Sequence, residues 1–400
     1  MRLSRWKKTL WFMALLLVLP LAVPPADPAG AKDPADTPAA ARVSFPIPPV
    51  TREQQASELP NILVIGTGGT IAGLSTDETS FQTYRAGTLP IKDMVAELPN
   101  LDRIADVNTF QFGNKGSGSY TIPDLYDLSL AVDQGLQNYD GVVVTTGTDT
   151  MEEIGYFLDL TVRSPKPVVI TGAMRPWTVI GSDGPANLFN AIKLAASGKT
   201  ARFGVVLMLN DEIHSIREVT KTNTYRLDTF QSPEVGVLGY IDESRIRIYR
   251  VPARALMPDG EWATPFDLRK IGKDRLARVE IVYSYQGAGG EAIRAFVEAG
   301  AKGIVTAGTG AGGISAAMGE ERSKAVQKGV VFVSTSRTGS GSVYSSGDGI
   351  LAGDSLNPAH ARILLLLILS FTDDFETVKE WFAKYGVPDA PSYLPQAAGS

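Results

Sequence analysis

Apolar and polar positions along this chain fall into blocks. Short segments at 61–65, 141–145, 167–171 and 204–209 have unbroken apolar centres and stop at glycines, threonines or other polar residues. Runs of this length with no polar alternation predict strands buried on both faces. Between them, 91–98, 123–137, 151–162 and 184–196 carry helical spacing. Strand and helix in turn predict a parallel sheet covered by helices. Ligands of such sheets sit at the strands' carboxyl ends. Three polar loops, 66–73, 145–150 and 171–184, fall there.

The pattern weakens after residue 250, where Pro252, Pro258, Asp259, Gly260 and Pro265 interrupt it. This reads as a linker, 251–276, before a second α/β unit. Strands are predicted there at 277–285, 303–307 and 330–335, with helices at 290–299 and 314–328. Asn357 followed by Pro358 marks a further helix start. Its stretch 363–369 is wholly apolar, which predicts a buried helix. At the other end, Arg2, Arg5, Lys7 and Lys8 precede an apolar run at 10–23 and the small residues Ala29-Gly30-Ala31. That is the pattern of a secretory signal. It implies a periplasmic or secreted protein with no membrane segment after cleavage. The alternative is a membrane anchor, for which the run is short and broken by Pro20. The expected division is a signal peptide at 1–31, a Pro/Ala-rich flexible tether at 32–57, an N-terminal catalytic domain at 58–250, the linker, and a C-terminal domain at 277–400.

Composition narrows the chemistry. The 400 residues carry a net charge of −5, with no cysteine and two histidines, His214 and His360. Disulfides, thiolate nucleophiles and Cys-ligated metals are excluded, and a His-rich metal site is disfavoured. No metal or cofactor is expected. An acidic chain without a basic stripe is not a general nucleic-acid binder. Gly66-Thr67-Gly68 begins a dinucleotide fingerprint, but Ile71 stands where its third glycine belongs. Hydroxyls, carboxylates, lysines and backbone amides remain.

The loop after the first strand, Gly66-Thr67-Gly68-Gly69-Thr70, places hydroxyls among glycines. A threonine acts as a nucleophile only with a base nearby and a place for the developing oxyanion. Thr145-Thr146-Gly147-Thr148-Asp149-Thr150-Met151-Glu152-Glu153 reads either as ordinary helix capping or as a partner for that threonine. Lys221, among small polar residues, reads either as a solvated surface lysine or as a base acting on a hydroxyl.

Five stretches in order resemble the bacterial type II L-asparaginases and glutaminase-asparaginases. They are Thr67-Gly68-Gly69-Thr70-Ile71-Ala72-Gly73, Thr146 to Glu153, Thr171-Gly172-Ala173-Met174-Arg175-Pro176, Asp183-Gly184-Pro185-Ala186-Asn187-Leu188 and Val219-Thr220-Lys221-Thr222-Asn223-Thr224. The resemblance spans roughly 58–385. It implies an α/β fold of two domains, a larger N-terminal one with a flavodoxin-like parallel sheet and a smaller C-terminal one. It also implies a homotetramer, a dimer of dimers with sites at subunit boundaries. The implied activity is hydrolysis of the side-chain amide of L-asparagine to aspartate and ammonia, with glutamine open as a second substrate. Thr70 matches the nucleophile and Tyr84 the loop tyrosine that activates it. Thr148, Asp149 and Lys221 match the rigid half of the site. Ser117 matches the residue that binds the α-carboxylate, and Asp149 the one that binds the α-ammonium. Backbone N–H groups of Gly69 and Thr148 are expected to hold the oxyanion.

Three departures concern the amino-acid end of the substrate. Gly118 follows Ser117 where the family has Gln or Glu. Gly310-Ala311-Gly312-Gly313 replaces a Gly-Asn-Gly-Asn loop. The stretch Ser336 to Tyr344 lacks the acid that usually helps bind the ammonium, with Asp348 and Asp354 nearby and Tyr344 open as a stand-in contact. An amidase for a modified Asn or Gln, or an inactive amino-acid-binding protein on the same fold, therefore stays open beside the main reading.

Overall fold

The computed structural model describes residues 43–386; the signal-peptide reading of 1–31 lies outside them. Eight strands form the larger sheet: β1 (Asn61–Gly68), β2 (Asp106–Lys115), β3 (Gly141–Thr145), β4 (Val168–Thr171), β5 (Val205–Leu209), β6 (Glu212–Ser215), β7 (Gly239–Asp242) and β8 (Arg245–Ile248). Their order is β8-β7-β6-β5-β4-β3-β1-β2. The first five are parallel, and the crossovers carry α1 (Ile91–Ala96), α2 (Ile122–Leu136), α3 (Met151–Thr161) and α4 (Gly184–Ala196). From β5 onward the pairing is antiparallel. The β5–β6 turn places Asn210 and Asp211 at positive φ, 55° and 62°. Such a pair matches the right-handed twist of a two-residue hairpin.

The apolar runs are explained by burial on both faces. Ile62 and Val64 pack with Val143 and Val169 against Leu188, Ala191 and Ile192 of α4. Leu63 and Ile65 point the other way, with Val142 and Val144, against Leu128 and Val132 of α2 and Phe157 of α3. The second sheet, β9 (Val279–Tyr283), β10 (Gly303–Gly308), β11 (Val331–Ser336) and β12 (Ile350–Ala352), is parallel throughout in that order. Helices α5 (Glu291–Glu298) and α6 (Ala316–Gln327) cover one side of it. The apolar helix α7 (Pro358–Phe371) shares one core with α3 and with β9 to β11. The final helix, α8 (Phe375–Gly386), packs onto α7.

The expected flexible tether is packed, and so is the linker. The expected tether 32–57 is, from residue 43, docked on the larger sheet. The Gln134 side-chain amide accepts from the Phe45 N–H at 2.9 Å and donates to the Phe45 carbonyl at 2.8 Å. The Phe45 ring lies 6.4 Å from the rings of both Phe110 and Phe112 on β2, and the Tyr139 hydroxyl donates to the Pro48 carbonyl at 2.7 Å. Thr51 and Gln54 then close a capping box on a short helix, Arg52–Ala56. The Pro/Ala composition suggests a free chain, but Phe45, with Ile47 and Val50 packed on the core and bonds to Gln134 and Tyr139, fixes it. The 251–276 stretch likewise buries Trp262, Phe266, Leu268 and Ile271.

Candidate active site

The β2-β1-β3 order makes β1 and β3 the place where connections leave in opposite directions, which opens a crevice at their carboxyl ends. Gly68 and Gly69 take φ of 102° and 83° as the chain leaves β1. A Cβ on Gly69 would stand 2.2 Å from Gly147 N and 2.3 Å from Gly147 Cα. The loops after β1 and β3 thus touch backbone to backbone. Gly69 is not a free donor, which corrects its expected place in the oxyanion hole. Its N–H is held by the Lys115 carbonyl at the end of β2, at 2.9 Å. Its part is steric: it permits the close approach.

Thr70 opens a single 3-10 turn, Thr70–Ala72, and its Oγ1 lies 2.6 Å from the Tyr84 hydroxyl. A two-residue antiparallel pairing of Leu74–Ser75 with Tyr84–Arg85 carries Tyr84 back to it. Gly73 clears the way, because a Cβ there would meet the Tyr84 ring at 2.7 Å. The 75–84 loop is stitched down from outside. Ser75 N–H donates to Thr178 Oγ1 at 3.1 Å and Ile180 N–H to the Glu78 carbonyl at 2.8 Å. The Arg175 guanidinium covers the Phe81 ring, which meets Tyr225 edge-on.

Across the contact lies the other half. Lys221 Nζ donates to Thr148 Oγ1 at 2.9 Å and to Asp149 Oδ1 at 2.7 Å. Thr148 is buried, whereas the Asp149 side chain is 83% exposed in the single chain. Lys221 is set by a two-residue strand, Thr220–Lys221, paired with Phe230–Gln231. Ser117 is buried beside Gly147, and its Oγ accepts from the Thr150 N–H at 3.2 Å. Thr150 is the N-cap of α3, but its side chain makes no cap hydrogen bond.

Sequence reading missed a brace beneath Thr148. The Asp183 carboxylate accepts from the N–H groups of Met174 and Arg175, each at 2.9 Å. Asn187 Nδ2 donates to the Gly172 carbonyl at 2.9 Å. These bonds press Gly172 against the turn, where its missing Cβ would lie 2.6 Å from the Thr146 carbonyl. Burial raises the Asp183 pKa, opposed by those same N–H donors.

The departing residues fall outside this cluster. A Cβ on Gly118 would meet nothing within 4 Å, so the family's larger residue is replaced by open space. Tyr344 is 77% exposed. Asp354 is engaged in its own loop, accepting from the Ser355 N–H at 2.6 Å. The assembled groups are two hydroxyls on touching loops, one beside a phenol and one beside an ammonium and a carboxylate. That set suits nucleophilic attack by a hydroxyl with its proton relayed.

Residues 61–254 match the family model described as "Asparaginase, N-terminal", and residues 278–382 match "Glutaminase/Asparaginase C-terminal domain". The chain is 42% identical over 337 residues to L-asparaginase 2 of Bacillus subtilis, covering 83% of this chain and 88% of that one. It is 40% identical to a probable periplasmic L-asparaginase of Haemophilus influenzae, with 82% and 94% covered. It is 34% identical to a glutaminase-asparaginase of Pseudomonas fluorescens biotype A, with 85% and 95% covered. Among solved structures, the probable cytoplasmic L-asparaginase of Campylobacter jejuni superposes with a TM-score of 0.77 at 38% identity. It covers 82% of this chain and all of that one.

Proposed function

The chain belongs to the asparaginase family, and from that premise we propose that it is an L-asparaginase using Thr70 as its nucleophile. Thr70 Oγ1 attacks the side-chain amide carbon, and its proton leaves through the Tyr84 hydroxyl toward the departing nitrogen. Ammonia departs, and water then cleaves the acyl-threonine ester to give aspartate. Thr148, held by Lys221 and Asp149, positions that water and passes its proton. The observation that carries the reading is that each hydroxyl has its own proton partner, on loops joined at Gly69 and Gly147. Ser117 is assigned to the substrate α-carboxylate and Asp149 to its α-ammonium. In the oxyanion hole, the Thr148 N–H stays and Gly69 is withdrawn.

The test is ammonia release from Asn, Gln, D-Asn and an N-blocked Asn by the wild type and by Thr70→Ala, Thr148→Ala and Lys221→Ala. Each variant is expected to keep the wild-type circular dichroism spectrum and lose turnover. Near-normal release by Thr70→Ala would refute the assignment. Open space at Gly118 favours a shifted substrate preference, so the N-blocked substrate is the informative arm.

Assembly and location follow the same reading. An Asp149 carboxylate 83% exposed beside the reacting groups leaves the site open to water, and exclusion of water strengthens such sites. This supports completion by a neighbouring subunit within a homotetramer. The basic start and apolar run at 10–23 support export to the periplasm or beyond. Among the described residues, no helix is long and apolar enough to cross a membrane.

A further inference from the structure

Phe81 belongs to the 75–84 loop that returns Tyr84 to Thr70, and no step above uses it. It is half-buried, yet among the described residues it joins none of the hydrophobic cores. Its ring is held instead by two side chains from other loops. The Arg175 guanidinium carbon lies 5.5 Å from the ring centroid. A cation is drawn to an aromatic face within about 6 Å. The Tyr225 ring stands 6.5 Å away at 69°, edge to face. Aromatic pairs favour such an arrangement at about 4.5–7 Å.

Both grips are anchored. The Arg175 main-chain N–H donates to Asp183 Oδ1 at 2.9 Å, and its Nη1 to the Gly181 carbonyl at 2.9 Å. Tyr225 sits on the turn that follows Lys221. Its N–H donates to Asn223 Oδ1 at 2.9 Å, and the Asn223 N–H to Thr229 Oγ1 at 2.9 Å. The 75–84 loop is gathered around one hydroxyl: Ser75 Oγ lies 2.8, 2.9 and 3.2 Å from the carbonyls of Asp77, Ser80 and Thr83, on both sides of Phe81. A hold on Phe81 is therefore carried to Tyr84. The ring joins the nucleophile's half of the site to the segment that presents Lys221.

We propose that Phe81 is a positioning residue: gripped by Arg175 and Tyr225, it keeps the 75–84 loop seated so that the Tyr84 hydroxyl stays on Thr70 Oγ1. The proposal rests on the asparaginase reading above, since it concerns the same site. Tyr84 acts by relaying the Thr70 proton, so an unseated loop slows the chemical step. The substrate's carboxylate and ammonium are assigned to Ser117 and Asp149, on other loops, so binding is spared. Loss of the Phe81 ring therefore falls on kcat and not on KM. It also opens the main chain beside Tyr84 to a protease, because a segment that undocks exposes its backbone.

The test measures kcat and KM for asparagine in the wild type, Phe81→Leu, Tyr225→Leu and the double variant. In parallel, tryptic cleavage after the exposed Arg85, which follows Tyr84, is timed by mass spectrometry. Leucine keeps apolar bulk and removes the ring. Phe81→Leu is expected to lower kcat about tenfold and Tyr225→Leu about threefold. KM should stay almost unchanged, and cleavage after Arg85 should run several-fold faster. The double variant should lose about tenfold, no more than Phe81→Leu alone, because Tyr225 acts through Phe81. Phe81→Tyr keeps the ring and should recover most of the loss. Tyr225 is 58% exposed, so Tyr225→Leu carries the test if Phe81→Leu does not fold. A Phe81→Leu protein with wild-type kcat or wild-type cleavage overturns the assignment while leaving the function standing. So does a loss carried by KM, or losses that multiply to about thirtyfold in the double variant. If the wild type releases no ammonia, the asparaginase reading fails, and the cleavage rates alone decide whether Phe81 seats the loop.

Discussion

Gly69→Ala tests the touching loops most directly. The added Cβ would lie 2.2 Å from Gly147 N, whereas such contacts do not fall below about 3.0 Å, so the loops must part by at least 3.0 − 2.2, or 0.8 Å. That displacement separates Thr70 from the Thr148–Asp149 turn. Misplacing reacting groups by about 1 Å costs on the order of 10²-fold in rate. Gly69 also adopts φ 83° and ψ −170°, a conformation nearly confined to glycine that costs other residues about 1–3 kcal/mol. A loss of that size leaves most proteins folded. The expected result is a folded protein with kcat/KM for asparagine reduced on the order of 10²-fold. Gly198→Ala is the matched control. Its φ is also positive, 68°, but a Cβ there meets nothing within 4 Å. It should lose about 1–2 kcal/mol of stability and keep its activity. Ammonia release and urea unfolding on both variants decide the matter. If Gly69→Ala keeps wild-type kcat/KM, or if the control loses as much activity, the close approach is not what aligns the site.

Two predictions concern stability. Arg254 Nη1 pairs with Asp159 Oδ1 at 2.9 Å, with the two side chains 12% and 9% exposed, and the same carboxylate oxygen accepts from the Val205 N–H. Arg254→Met strands a buried carboxylate and should cost about 3–5 kcal/mol in urea unfolding; a loss below about 1 kcal/mol would show the pair to be dispensable. Burial and Arg217 lower the His360 pKa from 6.5 to about 3. The unfolded chain takes up that proton near pH 6.5 and the folded chain does not. Stability is therefore complete above pH 6.5 and lost toward pH 3, at about 1.4 kcal/mol per pH unit from this group. Glu152, whose folded pKa is raised by burial, acts in the opposite sense between the ordinary 4.5 and about 7. The measurement is therefore the difference in pH slope between the wild type and His360→Asn, and an unchanged slope would contradict the assignment.

The parallel strands were legible because burial on both faces writes them as plain apolar runs. The site motifs were legible because hydroxyls and glycines at strand ends have few structural explanations. What the sequence concealed has separate causes. The strand Asp106–Lys115 is half-buried and mixes Asn, Thr and Gln with Val and Phe, so it carries no continuous apolar run. Without that strand, the partner of the Gly69 N–H was invisible, and the donor looked available for catalysis. Composition points to flexibility for 43–57, whereas its docking depends on a few scattered side chains, Phe45, Ile47 and Val50, and on bonds to Gln134 and Tyr139.

That docked segment bears on solubility. The strand Asp106–Lys115 is the outer edge of the larger sheet, and Phe110 and Phe112 project from it on the side where Phe45 lies. Two phenylalanines left bare on that face would form an exposed apolar patch, a liability for association. The segment 43–50 therefore shields the face of the strand, not its hydrogen-bonding edge. Trimming an expressed form back to residue 58, just before the first strand, would remove that cover while leaving every catalytic group in place, and the penalty would appear as aggregation before any loss of turnover.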